Sequence, residues 1–235
     1  MKKVSSRKLK KAKDFILFII LFACFLILTN NIQEHMSKDI KNTKYDGLGQ
    51  QELESKNGYS TIFTTNDVNS KKQYLEYKQG GNSPWAKNSY WGGTMEENGC
   101  GITSISIILS GYGKKVTPED LRKIYYPHLN GEDISKELNN TFGIKCTDFY
   151  FSSAYFSKYK IIEHLKLNKP ILICVWNKPD KRWTEKSHYM VLLATDGENK
   201  VYISNPNNEN SKTDSGWYNI KDIQPYIAKA LFIEE

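Results

Sequence analysis

The sequence predicts an α+β domain, with helices in its first half and antiparallel strands in its second. Two observations carry the helices. "TPEDLRKIYY" opens with a capping threonine followed by proline, and "SKYKIIEHLKLNKP" spaces Ile161, Ile162 and Leu165 on one face and stops before Pro170. One carries the strands: "HYMVLLAT" and "KVYISN" flank "DGEN", a hairpin signal.

The chain has 235 residues and a net charge of +7. Seven basic residues against Asp14 place +6 of that charge in residues 1–14, leaving +1 for the rest. This is a basic tail on a nearly neutral body, which excludes a nucleic-acid-binding domain. The run "FILFIILFACFLIL" follows at residues 15–28, and Thr29–Ile32 extend it weakly. Its length falls between a signal peptide's apolar region of roughly 7–15 residues and a membrane span of roughly 20. No A-x-A-like cleavage site follows, so residues 15–32 are expected to be an uncleaved signal anchor, with a cleaved signal peptide as the alternative. Both place the body outside the cytoplasm, because the positive flank stays inside. Cys24 reads as a membrane residue, since Phe22 is bulky for a lipidation site and the apolar run continues beyond it.

Residues 33–72 are polar, rich in Asn, Lys, Ser, Thr and Gln, and lack periodicity. They predict a poorly ordered linker. The domain proper is expected over 73–235. In its first half, "ITSISIILSGYG" predicts a helix of about ten residues closing near Gly111 or Gly113. Thr117 caps the next helix, with Pro118 at its first position and Asp120 in its first turn. "GEDISKELNNTFG" predicts a short helix closed by Gly143. In its second half, "PILICVW" reads as a buried strand, and "GWYNI" and "KALFIEE" add two short strands. Trp85, Trp91, Trp176 and Trp183 are assigned to packing, with a cleft lining as the alternative. "NKPDKRWTEKS" reads as a polar loop beside His188.

Three cysteines lie beyond the apolar run: Cys100, Cys146 and Cys174. With an odd number, at least one is free within a single chain, and a Cys146–Cys174 disulfide stays open. No C-x-x-C or Cys/His pair has zinc spacing. Cys100 stands between Gly99 and Gly101 in "EENGCGITS", where the glycines predict a sharp turn into the helix. A thiol there meets free N–H groups and the helix dipole, which lower its pKa and favour an oxyanion nearby. By itself that position fits packing as well as a nucleophile.

A nucleophilic thiol needs a base. Of the four histidines, His35 falls in the linker, His128 in a loop after Pro127, and His164 on the polar face of a helix. His188 heads the strand "HYMVLLAT". With the hairpin turn at Asp196–Asn199, Asn205 falls opposite Met190 or Val191, within reach of His188. Asn205 suits either an orienting partner for the imidazole or a turn cap before Pro206.

At this point "YKQGGNSPWAKNSYWGGTMEENGCGITSISIILSGYG", "SHYMVLL" and "ISNPN" resemble the papain-like peptidases of cysteine family thirty-nine. These are relatives of the bacteriocin leader peptidases, and the likeness is to the branch without an attached transporter. It covers residues 74–235. The resemblance implies a papain-like fold, with a helical part packed on a C-terminal antiparallel sheet. It implies Cys100 as nucleophile, His188 as general base and Asn205 as orienting residue. It also implies that Gln79 lends its side-chain N–H₂ to an oxyanion hole with the Cys100 N–H. Many members carry aspartate where Asn205 stands, and Gly-Pro where Gly101-Ile102 stands. No ATP-binding cassette or transporter helices are present in the sequence, so export-coupled leader removal is not expected.

The expected protein is therefore a membrane-anchored thiol peptidase outside the cytoplasm, acting on a peptide or protein substrate. It needs no cofactor and no metal, and binds no nucleic acid. A cell-wall peptide amidase or endopeptidase and a non-catalytic surface module on the same fold are the competing readings.

Overall fold

A β-hairpin leads into the domain: β1 (Tyr59–Thr64) pairs antiparallel with β2 (Gln73–Tyr77). The computed structural model describes residues 59–65, 72–151, 156–207 and 213–234. The basic tail and the apolar segment expected at 1–32 lie outside these residues. So does the predicted linker, apart from its C-terminal part. Within that part the structure differs from the expectation: residues 59–64 form a strand. The Phe63 ring stacks on Tyr202 with centroids 3.8 Å apart, and Thr65 N–H donates to the Lys72 carbonyl. The segment is polar in composition, yet the hairpin satisfies its backbone and stacking covers its aromatic face.

A two-residue ladder follows, β3 (Ser89–Tyr90) with β4 (Gly93–Thr94). Then come helix α1 (Met95–Asn98) and helix α2 (Cys100–Gly111). Thr94 and Glu97 close a capping box on α1. Helix α2 runs for 12 residues, as the small and aliphatic run predicts. Its serines, Thr103 and Gly111 keep it slender, so it packs against β2 and the central sheet. Gly111 shows how tight this is: a Cβ there would lie 2.1 Å from the Tyr74 ring.

Helix α3 (Pro118–Ile124) begins with the predicted Thr117 cap, which accepts from Asp120 N–H while the Asp120 carboxylate accepts from Thr117 N–H. It ends at Ile124, before the two tyrosines that the sequence suggested it would include. Helix α4 (Ile134–Asn140) is followed by Gly143 at φ 63°, a left-handed position that suits glycine. Helix α5 (Lys158–Lys166) carries the Ser157 cap.

The second half is one five-stranded antiparallel sheet. Its strands are β5 (Ile171–Trp176), β6 (Ser187–Thr195), β7 (Lys200–Ser204), β8 (Gly216–Asn219) and β9 (Ile227–Phe232). Their order in space is β8-β7-β6-β5-β9. Between β8 and β9 lie helix α6 (Ile220–Ile223) and a 3₁₀ turn (Gln224–Tyr226). Period-2 alternation sends Ile171, Ile173, Val175, Met190 and Leu192 to one face, where Ile161, Ile162 and Leu165 of α5 cover them. Each of those three helix side chains stabilises the fold by about 1.5–3 kcal/mol of apolar burial. The α+β architecture expected from the sequence is present. Among the described residues no helix is long and apolar enough to cross a membrane.

Candidate active site

Cys100 is the first residue of α2. Gly99 joins it to α1 at φ −80°, an ordinary conformation for any residue. The predicted sharp glycine turn is therefore absent, and Gly99 is required for space instead: a Cβ would sit 2.4 Å from the Met95 carbonyl oxygen. A Cβ on Gly101 would lie an ordinary 3.5 Å from the Tyr189 ring.

His188 lies near the start of β6 and is 4% exposed. The β6–β7 register pairs Val191 with Ser204, so Asn205 follows opposite Met190, as the hairpin count predicts. From there its side chain reaches diagonally back along the face, and Asn205 Oδ1 lies 2.8 Å from His188 Nε2.

The Asn205 amide orientation is set by two backbone partners. Oδ1 accepts from Asn207 N–H at 3.0 Å, and Nδ2 donates to the Thr213 carbonyl at 2.6 Å. An oxygen faces His188, so His188 Nε2 carries the proton and donates it. That tautomer leaves Nδ1 as the basic nitrogen. Asn205 makes the contacts that both sequence readings require: Oδ1 accepts from Asn207 N–H in the turn through Pro206 and lies at hydrogen-bond distance from the imidazole.

Gln79 is buried after the end of β2. Its Nε2 donates to the Glu96 carbonyl at 2.6 Å, and its own N–H donates to the Pro206 carbonyl at 2.8 Å. One of the two Nε2 hydrogens is engaged with Glu96. "SPWA" holds the preceding residue, because Ser83 Oγ and Trp85 Nε1 both donate to the Lys78 carbonyl, at 2.9 and 2.8 Å.

The electrostatics differ from the expectation. Burial pushes the Cys100 thiol up, and the backbone N–H groups of Tyr189, Gly101 and Cys100 itself offset this only in part. A helix start alone would have lowered it; desolvation wins. The N–H of Tyr189, the residue after His188, acts on this thiol, so Cys100 meets β6 beside His188. Burial lowers His188 to about 4; the Asn205 bond opposes this shift and the Lys78 charge adds to it. Burial thus disfavours both charged forms, the thiolate and the imidazolium.

A cavity of about 870 Å³ opens beside Cys100. Tyr90, Trp91, Phe151, Trp176 and Tyr189 give it an aromatic lining, and Glu132 and Lys229 give it charge. Trp91 and Trp176 therefore line a cleft and are 56% and 63% exposed, whereas Trp85 and Trp183 are packed, 2% exposed each. Trp91 adopts φ 49°, a strained backbone for a bulky residue. It stacks on His128 and donates its N–H to the Pro127 carbonyl. Trp183 fastens the loop before His188 through a bond from Nε1 to the Asp222 carbonyl.

The remaining predicted residues lie elsewhere. His164 packs edge-on to Phe232, and its Nε2 lies 2.9 Å from the Ile233 carbonyl. Cys100, Cys146 and Cys174 are all free thiols, so the open disulfide is not formed here. Among the described residues no three His, Cys, Asp or Glu side chains are grouped to hold a metal ion. Sequence reasoning missed Lys78 and the cleft residues from Leu129 to Glu132. A lysine reads as surface by default, and a loop without periodicity carries no signal for its position.

A model of the "Peptidase_C39 like family" matches residues 84–227. The chain belongs to this family. The match spans Cys100, His188 and Asn205, and begins after Gln79. A crystal structure from Bacillus anthracis, assigned as a C39-like peptidase, is similar to this C39-like chain at 13% identity, with a TM-score of 0.43. It covers 59% of this chain and 90% of its own. No curated protein matches the chain.

Proposed function

We propose that this member of the C39-like family is a thiol peptidase in which Cys100 attacks a peptide carbonyl. The observation that carries the reading is the His188–Asn205 bond, which leaves Nδ1 as the free ring nitrogen on the strand whose Tyr189 N–H meets the Cys100 thiol. As the sulfur adds to the carbonyl carbon, the thiol proton passes to Nδ1 and the C=O electron pair moves to oxygen. The resulting oxyanion is stabilised by the Cys100 N–H and by the second Gln79 Nε2 hydrogen. Collapse breaks the C–N bond, and the Nδ1 proton goes to the leaving amine. Water, deprotonated by Nδ1, then hydrolyses the thioester and restores the thiol. Asn205 accepts from Nε2–H throughout, keeping the ring oriented but adding no charge to stabilise the imidazolium.

The aromatic cleft supports binding of an extended peptide with bulky apolar side chains. The basic tail and apolar segment at 1–32 support a membrane-anchored enzyme working outside the cytoplasm. Incubating the protein and its Cys100→Ala variant with a fluorogenic peptide library tests the reaction. Loss of cleavage in the variant supports it, and equal cleavage by both rejects it.

A further inference from the structure

Lys78 is the buried charge at this site, and the mechanism above leaves it unused. It is 8% exposed, between β2 and Gln79. A lysine this buried carries a cost that needs a structural return. Its two ends make different contacts. The backbone carbonyl accepts from Ser83 Oγ and Trp85 Nε1, which fixes the main chain. The ammonium donates to the Asn205 carbonyl at 2.9 Å, across 127 residues of sequence. The next residue repeats the connection, because Gln79 N–H donates to the Pro206 carbonyl. The strand end that carries the oxyanion amide and the turn that orients His188 are thus joined by two adjacent bonds, one of them charged.

We propose that Lys78 is a positioning residue: its ammonium holds the Asn205 main chain, and so sets the placement of the His188-orienting turn relative to Gln79. The inference rests on the peptidase reading for its kinetic consequence. The Asn205 backbone is held on both sides, its N–H donating to Ser215 Oγ and its carbonyl accepting from Lys78, and at 1% exposure a carbonyl left without that donor is costly. A small displacement here propagates to the base and to the oxyanion hole together. The ammonium has a second effect through its charge. Around His188 the titratable groups are Cys100 from α2, Cys174 from β5, Tyr189 on the same strand and Lys78 after β2. Lys78 is the one whose charge acts on His188, and it disfavours the imidazolium. That charge opposes the imidazolium formed when Nδ1 takes the thiol proton, so the contribution of Lys78 to catalysis is the position it imposes.

The test uses the full chain with Lys78→Met, which keeps the bulk but removes donor and charge. Two readouts are taken: kcat and KM on the best peptide from the library, and the His188 ring-proton NMR titration, which needs no substrate. The expected result is a kcat up to about 100-fold lower with KM little changed, the cost of a reacting group displaced by about 1 Å. The His188 titration is expected to move upward by the same amount in Lys78→Met and in Lys78→Gln, which share the loss of charge; loosening of the site alone would move it more in Lys78→Met, which also loses the donor. Should Lys78→Met fail to fold, Lys78→Gln keeps an N–H donor without the charge: the titration still moves upward and the loss of kcat is smaller. A wild-type kcat with an unmoved titration overturns the proposal. If the wild-type protein cleaves no peptide, the peptidase reading fails, and the NMR titration alone decides for or against Lys78.

Discussion

His188 Nε2 donates to Asn205 Oδ1 at 2.8 Å, and the same oxygen accepts from the Asn207 backbone. The bond sets the imidazole tautomer, and the turn sets the bond. Replacing Asn205 by alanine is expected to lower kcat by up to about 10⁴-fold, the loss that follows when a catalytic histidine is left in the wrong tautomer. It also leaves the Thr213 carbonyl and Asn207 N–H without this partner, so stability is expected to fall by about 1–3 kcal/mol. Steady-state kinetics and denaturant unfolding check the two effects separately.

The lowered His188 pKa makes a pH prediction with a definite sign. A histidine ordinarily titrates near 6.5, and burial holds His188 at about 4. Between these values the unfolded chain binds a proton that the folded chain does not. Stability from this group is therefore full above about 6.5 and is lost as pH falls toward 4, by about 3 kcal/mol in total. Unfolding measured from pH 7 to pH 4 should show that loss in the wild-type protein and lack it in His188→Gln. Because Nδ1 stays basic down to the same point, the acid limb of kcat/KM is expected near pH 4. A limb at the ordinary histidine value would contradict this environment.

Gly111 tests the packing of α2. A Cβ there meets Tyr74 ring atoms at 2.1 Å and 2.6 Å, and that ring is fully buried. Gly111→Ala removes a flexible residue from a helix, which alone would stabilise it by about 1 kcal/mol. The overlap reverses the sign, and a net loss of about 1–3 kcal/mol is expected. Thermal unfolding would show a lower Tm; an unchanged or raised Tm would mean the helix can shift freely.

Trp91 tests the cleft. It lines the cavity beside Cys100, is more than half exposed, and holds a left-handed backbone. Trp91→Ala is expected to raise KM about tenfold for peptides with aromatic or large aliphatic side chains, equivalent to ~1.4 kcal/mol of binding. Small polar peptides should be affected less. Equal losses for both classes would mean that the indole acts on the loop rather than on the substrate.

Much of this was legible from the chain because local rules carried it. Thr117 and Ser157 cap the helices predicted for them. The "DGEN" turn brought Asn205 to within a residue of its place, and an irregularity between Leu192 and Ala194 sets it opposite Met190. What escaped was set by tertiary contacts. Strand β1 is polar in composition and is held by Phe63 stacking on Tyr202, which is distant in sequence. Helix α1 has four residues, too few for periodicity, although its Thr94–Glu97 capping box was readable. The Cys100 thiol was expected to be lowered by the helix start, yet burial, which sequence does not show, raises it. Lys78 is the same kind of case: nothing local to "YKQGG" reveals that its ammonium ends against Asn205.

The central claim is that Cys100 is the nucleophile served by His188. The most direct measurement is peptide-library hydrolysis by the full chain, wild type against Cys100→Ala, with mass-spectrometric mapping of iodoacetamide adducts at pH 7. Hydrolysis by the wild type and adduct formation at Cys100, with hydrolysis abolished in a folded Cys100→Ala protein, is the predicted result. Hydrolysis that survives the loss of the Cys100 sulfur would contradict it.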